Sequence, residues 1–166
     1  PRNGGGFASL SEPRFVLADC NLPIETLAWL KTFGLRLVVE PVSVAKAHKL
    51  VEIGLDGIFL VTPNAAQAEV LKDAKGRAEH MVVTLGGEGA LADGVRIPPL
   101  VNPARIVDVT GAGDAATAGL IYGLLQDLPL AEAAHLGQAA AAITAEHAHS
   151  VSPDLTAGTL LSRARS

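Results

Sequence analysis

Short apolar runs followed by a break and then by apolar positions at helical spacing recur along the first part of this chain. Phe15-Val-Leu-Ala18 reads as a strand, Asn21-Leu-Pro23 ends it, and Leu27, Trp29, Leu30 and Phe33 predict a helix over Ile24 to Phe33. The unit repeats as Leu35-Arg-Leu-Val-Val39, then Pro41 and a helix to about Ile53. It repeats again as Gly57-Ile-Phe-Leu-Val61, then Pro63-Asn64 and a helix through Leu71. Strands alternating with amphipathic helices predict a parallel sheet covered on both faces.

From His80 the rhythm changes. Met81-Val-Val-Thr-Leu85 runs into Gly86-Gly-Glu-Gly89, and Asp93-Gly94 separates Ala90-Leu-Ala92 from Val95-Arg-Ile97, a hairpin signal. Pro98, Pro99 and Pro103 mark a loop, and Ile106-Val107 reads as a short strand. A long helix follows from Gly113 to about Leu125, then one from Leu130 to about Glu146, and a last from about Leu155 to Arg163 with Asp154 as its cap. No linker divides the chain, so a single domain is expected over residues 1–166, with residues 1–13 irregular.

Composition narrows the function classes. Aromatics are only 4% of the 166 residues while hydrophobics are 49%, so the core must be built from Ala, Leu, Val and Ile. A formal charge of −4 with no run of Lys or Arg gives no footprint for nucleic acid or an anionic membrane, and no apolar stretch is long enough to span one. The lone Cys20 excludes an internal disulfide and fits a reducing cytoplasm; Pro1-Arg-Asn-Gly-Gly-Gly6 is followed by no signal-peptide apolar region.

The chemistry concentrates in Asp108-Val-Thr-Gly-Ala-Gly-Asp114, which sits between a short strand and a helix opening with Ala115-Ala-Thr-Ala-Gly119. Backbone N–H groups and the helix dipole favour an anion there, and glycines let a phosphate approach the main chain. Asp114 alone is equally readable as a favourable charge at a helix start. Val83-Thr-Leu-Gly-Gly-Glu-Gly-Ala-Leu91 reads by spacing as a glycine turn between strands; it matches neither a dinucleotide fingerprint nor a P-loop. Asn64 after Pro63 suits a helix N-cap, and the helix around Gln138 suits close packing. Asp19, Asn21 and Glu40 follow strands at the edge where parallel sheets bind ligands, and are also ordinary turn residues. His147 and His149 lack a third metal ligand nearby, and Cys20 has no indicated His partner.

The string Asp108 to Asp114, with the glycine segment Val83 to Leu91 upstream, resembles the signature of the PfkB/ribokinase family of carbohydrate kinases, from about Phe15 to the C-terminus. That resemblance implies a ribokinase-like three-layer α/β/α sandwich with a mostly parallel sheet. It implies Asp114 as the base taking the acceptor's hydroxyl proton, with Gly111, Ala112 and Gly113 forming an anion hole. Thr84, Gly86 and Gly89 would line the ATP phosphates and ribose, with Asn64, Gln138 and Thr110 also at the nucleotide. Asp108 and Thr110 would hold a monovalent ion, K+ being the option, and Gln67 would stand where the family has a carboxylate serving Mg2+. A neutral amide weakens that last role. The implied substrates are ATP and a small sugar or nucleoside. Ala18-Asp-Cys-Asn-Leu-Pro23, Pro41-Val-Ser43 and Ser152-Pro-Asp-Leu155 are most similar to the members acting on pseudouridine. The family's N-terminal half and lid, which carry most sugar contacts, have no counterpart here. An open sheet edge follows, which makes a homodimer one option, and a nucleotide-binding fragment without turnover is the alternative function.

Overall fold

The structure is a computed structural model that describes residues 14–166; the irregular segment expected over residues 1–13 lies outside the described residues. The sheet has six strands in sequential order: β1 (Val16–Asp19), β2 (Leu37–Glu40), β3 (Leu60–Val61), β4 (His80–Thr84), β5 (Ala90–Ala92) and β6 (Val95–Ile97). β1 to β4 are parallel, and β4, β5 and β6 are joined antiparallel, so the expected mostly parallel sheet with a hairpin at Asp93-Gly94 is present.

Period-two alternation in the strands decides which helix packs where. Leu37 and Val39 of β2 and Val61 of β3 turn to one face. There they meet Leu27 of α1 (Ile24–Leu30), Ala47 and Leu50 of α2 (Val44–Ile53), and Leu71 of α3 (Ala65–Leu71). Val38, Leu60 and Val82 turn to the other face, against Leu120 of α4 (Ala112–Leu125) and Ala133 and Ala134 of α5 (Leu130–Ala145). α6 (Ala157–Ala164) packs Leu160 against Leu136, Ala139 and Ala140 of α5 from outside. Four sequential parallel strands whose three connections share a hand must place α1, α2 and α3 on one side. The outcome is the three-layer sandwich that the motifs implied.

Four boundaries differ from the sequence reading. Ile106-Val107 joins no sheet: the N–H groups of Val107 and Asp108 donate to the carbonyl of Ala145 at 2.8 and 3.3 Å, hooking this segment onto the end of α5. Pro98, Pro99 and Pro103 punctuate the stretch between β6 and this segment, and the outer edge of β6 pairs with no strand among the described residues. β3 spans only Leu60–Val61 because Gly57, at φ 80°, turns the chain until just before it. α1 stops at Leu30, and a 3-10 turn over Lys31–Phe33 closes on Gly34 at φ 63°. The last helix is capped by Thr156, which forms a reciprocal capping box with Thr159, rather than by Asp154, which pairs with His147 at 3.0 Å.

α4 and α5 approach to backbone contact. A Cβ on Gly119 would lie 2.7 Å from the Leu136 carbonyl oxygen, one on Gly123 2.7 Å from the Cα of Ala133, and one on Gly137 2.7 Å from the Ala116 carbonyl oxygen. Overpacking at such a site costs about 1–3 kcal/mol. Gly119→Val should therefore lower the chemical denaturation midpoint. Gly158→Ala in α6, where the nearest atom to an added Cβ is 3.9 Å away, should instead gain about 0.5–1 kcal/mol by helix propensity. Paired urea melts of the two variants check both signs.

Candidate active site

The parallel strands end at one edge, and the singled-out loops leave the sheet there. Asp19 and Glu40 are directly opposite each other at the ends of β1 and β2, and Asn64 forms an isolated parallel bridge with Thr84. The chain enters α4 from the side of the α5 face. Gly111 takes the left-handed conformation at φ 80°, and a Cβ there would lie 2.0 Å from the carbonyl oxygen of Ser150. Only glycine allows the turn and the close approach together.

This entry fixes how the first turn of α4 presents its amides. Ala112 donates to the Val109 carbonyl at 3.1 Å, whereas among the described residues the N–H groups of Gly111, Gly113 and Asp114 donate to no backbone carbonyl. Orphan donors at a helix start, reinforced by the dipole, form a local site for negative charge. Around Gly113 no atom lies within 4 Å of an ideal Cβ, so the approach to its main chain is open.

Beside this turn lies a cleft of about 250 Å³ bordered by Thr84, Gly86, Gly89, Ala112, Gly113 and Gln138. The structure thus brings together six residues that the sequence singled out from three separate segments. Val101, Ile106 and Val109 form its outer wall, and Ala141, Ala142 and Ala145 line the α5 side. Small side chains leave this space: large ones on either helix would fill it. Gln138 is only 7% exposed and its side chain takes no hydrogen bond among the described residues, so its amide is unspent at the cleft. Gly86 is free of neighbours, whereas a Cβ on Gly89 would lie 2.1 Å from the carbonyl oxygen of Ile97. Gly89 is thus required by the hairpin as well as placed at the cleft.

Asp114 is exposed, one residue beyond Gly113, and lies near Glu40. Burial, then the neighbouring Asp114, push the Glu40 carboxyl above its ordinary range, while the N–H of Val42, donating to Glu40 Oε1 at 3.3 Å, opposes this. Val42 holds φ 66°, a left-handed conformation rare for a β-branched residue. Sequence reasoning had only the pair Pro41-Val42 to signal it, and neither residue type predicts that conformation. Asp19 accepts from the N–H of Asn21 at 2.7 Å, and Lys46 bonds the Asn21 side chain, so both residues serve as turn and link. Cys20 is fully buried, with its thiol pushed up to about 11 chiefly by burial, which leaves it inert as a nucleophile.

Asp108 Oδ1 accepts from the N–H of Thr110 at 2.9 Å and from its hydroxyl at 2.8 Å. These bonds, the backbone one first, hold the carboxyl below its ordinary value. Asn64 caps α3: its Oδ1 accepts from the N–H of Gln67 at 2.9 Å, and Gln67 Oε1 accepts from the N–H of Asn64 at 2.8 Å. Gln67 is 2% exposed, so the residue expected to serve Mg2+ is turned inward and its oxygen is committed to the cap. No group of three or more His, Cys, Asp or Glu among the described residues could cage a metal ion. A hard dication arriving on a nucleotide needs no such cage, since phosphate oxygens and water supply most of its ligands and one or two carboxylates suffice. His147 is paired with Asp154, and no helix among the described residues is long and apolar enough to cross a membrane.

The profile described as pfkB family carbohydrate kinase matches residues 25–157. Pseudouridine kinase of Escherichia coli strain K12 is 28% identical over 177 aligned positions, covering 92% of this chain and 55% of that protein. A carbohydrate kinase from Agrobacterium tumefaciens superposes with a TM-score of 0.74 at 30% identity, over 92% of this chain and 54% of its own. Ribokinase from Thermotoga maritima superposes with a TM-score of 0.74 at 22% identity, over 95% and 58%, which shows the shared fold. The chain spans about half the length of the relatives it matches. With the matched residues running from the first helix to the segment that opens α6, and the α4 entry at the centre of the geometry, the chain belongs to the pfkB family of carbohydrate kinases.

Proposed function

We propose that this chain is the ATP-binding, catalytic-base part of a kinase that phosphorylates a hydroxymethyl group of a sugar or nucleoside, with pseudouridine as the acceptor and pseudouridine 5′-phosphate as product. The observation that carries this reading is the first turn of α4: unbonded N–H groups of Gly111 and Gly113 beside the exposed carboxylate of Asp114, at the mouth of the small-residue cleft. The adenine and ribose occupy the cleft between the Thr84–Gly89 loop and Gln138, and the phosphates run toward α4. Asp108 and Thr110 keep the loop in shape and would hold a monovalent ion, K+ being the option. Mg2+, when bound with the nucleotide, would supply neutralisation of the phosphate charge.

In the transfer, the acceptor's hydroxyl oxygen bonds to the γ-phosphorus as the bond to the β,γ-bridging oxygen breaks, and ADP leaves. Asp114 takes the hydroxyl proton. The α4 amides hold the charge that spreads over the equatorial oxygens, the task that dominates phosphoryl transfer. The similarity to pseudouridine kinase, which covers 92% of this chain, supports the choice of acceptor. A buried free thiol agrees with a reducing cytoplasm as the site of action.

In the native protein, Asp114→Asn should lower ADP release from ATP by on the order of 10²–10⁴-fold while nucleotide affinity is kept, as expected for loss of a general base. Turnover equal to wild type would remove Asp114 from that role. The acceptor is read from a panel of pseudouridine, uridine, ribose and fructose under the same coupled assay. Pseudouridine should give the highest kcat/KM, and preference for a free sugar would replace it.

Gly111→Ala places a Cβ against the Ser150 carbonyl at a positive φ, a conformation costing roughly 1–2 kcal/mol for an L-residue before any clash. It should weaken ATP binding and turnover together. Isothermal titration with ADP alongside the kinetic assay checks that both fall.

A further inference from the structure

Beyond the cleft, one buried charge cluster has no part in the chemistry above. Glu146, at the end of α5, has a side chain only 7% exposed and lies between two arginines. Arg163 of α6 grips both of its carboxylate oxygens, at 2.9 and 2.7 Å, and also donates to the Leu100 carbonyl at 3.4 Å. Arg105 reaches Glu146 Oε2 at 3.0 Å from the loop that precedes α4. The hydrogen bonds from Arg163 hold the Glu146 carboxyl below its ordinary value, so the pair is charged at neutral pH.

What this cluster holds is the outer wall of the cleft. Arg105 and Leu100 flank Val101, and the segment from Val101 to Thr110 joins no strand. Its tethers along α5 are the Glu146 contacts and, one residue before, the Ala145 carbonyl that accepts from Val107 and Asp108. The same segment presents Ile106 and Val109 to the cleft and delivers Asp108 to the α4 entry. A bidentate arginine–carboxylate pair fixes orientation as well as distance. Side chains from α6, α5 and the loop thus converge on one carboxylate at the point where the wall would otherwise swing from the helix.

We infer that Arg105, Glu146 and Arg163 form a positioning triad that docks the Val101–Thr110 segment on α5 and so presets the nucleotide cleft and the α4 anion site. The inference rests on the nucleotide reading of the cleft. None of the three residues touches substrate; they act through the wall and through the Asp108 loop.

The experiment uses the native protein with Arg105→Met, Arg105→Lys, Glu146→Gln and, as a control, Arg14→Met. The control breaks the exposed Arg14–Asp127 pair at the far end of α4. Amide hydrogen exchange is followed at Val107 and Asp108, with Val38 and Val39 in the core as reference, and ADP affinity and the kinetic constants are measured in parallel. Arg105 is 62% exposed, so its removal should not unfold the chain. Arg105→Met should speed exchange at Val107 and Asp108 about tenfold with the reference amides unchanged, the mark of local opening. KM for ATP should rise about threefold to tenfold, with kcat changed less, as expected when a binding wall loosens and not the base. Arg105→Lys should restore most of both, Glu146→Gln should exceed Arg105→Met, and the control should match wild type. Unchanged exchange at Val107 and Asp108 in both Arg105→Met and Glu146→Gln overturns the triad, as does faster exchange with no change in ADP affinity. A wild-type protein that binds no nucleotide overturns the reading of the cleft instead, and the triad then stands or falls on the exchange rates alone.

Discussion

The contact between α4 and α5 at backbone distance sets the terms for nearly everything else in this molecule. Gly119, Gly123 and Gly137 have no room for a Cβ, so the helices are locked in one register and Ala116 and Ala140 fill the remaining seam. Beyond this seam, small residues on the two helices such as Ala112, Ala141 and Ala142 line the cleft and leave it open. The same register fixes where α4 begins. Its first turn opens beside the cleft, and the N–H groups that every helix leaves unpaired become the anion site. Stability and site geometry here come from one interface.

The fold was largely legible because each layer carries its own period. Alternation in β2, Leu37 and Val39 against Val38, divides the core between two faces, and the changed rhythm after His80 announced the antiparallel hairpin. The glycines of the candidate site were legible for a different reason: glycine at a positive φ or in close approach is a backbone demand written directly in the sequence, as at Gly111 and Gly89. What stayed hidden depends on long-range partners. Ile106-Val107 has strand-forming residues, yet its hydrogen bonds go to Ala145. Asp154 has the chemistry of a cap, but it pairs with His147 while Thr156 takes the cap. Glu146, Arg105 and Arg163 are far apart in sequence and carry no motif, and only the fold makes them neighbours.

Gln67 illustrates how local and functional readings compete for one side chain. At the third helical position after Asn64, an amide or carboxylate closes a reciprocal capping box, which satisfies two orphan donors. A carboxylate there would meet the helix start with full charge, and in water it could divide its two oxygens between the cap and a bridged cation. The amide has a single acceptor oxygen, which the cap engages, and its 2% exposure leaves no solvent path outward. The chain therefore keeps the structural half of this position and relies on other residues for any cation.

Charge is distributed accordingly. A chain of net charge −4 has no general attraction for an anion, so under the proposed function recognition of the phosphates has to be short-range. On that reading the α4 turn supplies it as partial positive charge on backbone N–H groups, without drawing on lysine or arginine. Across the edge stand Asp19, Glu40 and Asp114, and the charges of the two aspartates add to the burial that raises the Glu40 carboxyl. Burial makes Glu40 the member that yields, keeping its proton to a higher pH than usual, while the exposed Asp114 is better solvated. Val42, strained to direct its N–H at Glu40, tempers that shift. Backbone strain persists where the surrounding structure over-determines it, and such sites cluster where charge must be placed with care. The edge thus separates into a side with unpaired backbone donors and a side with carboxylates, the division on which the proposed phosphoryl transfer rests.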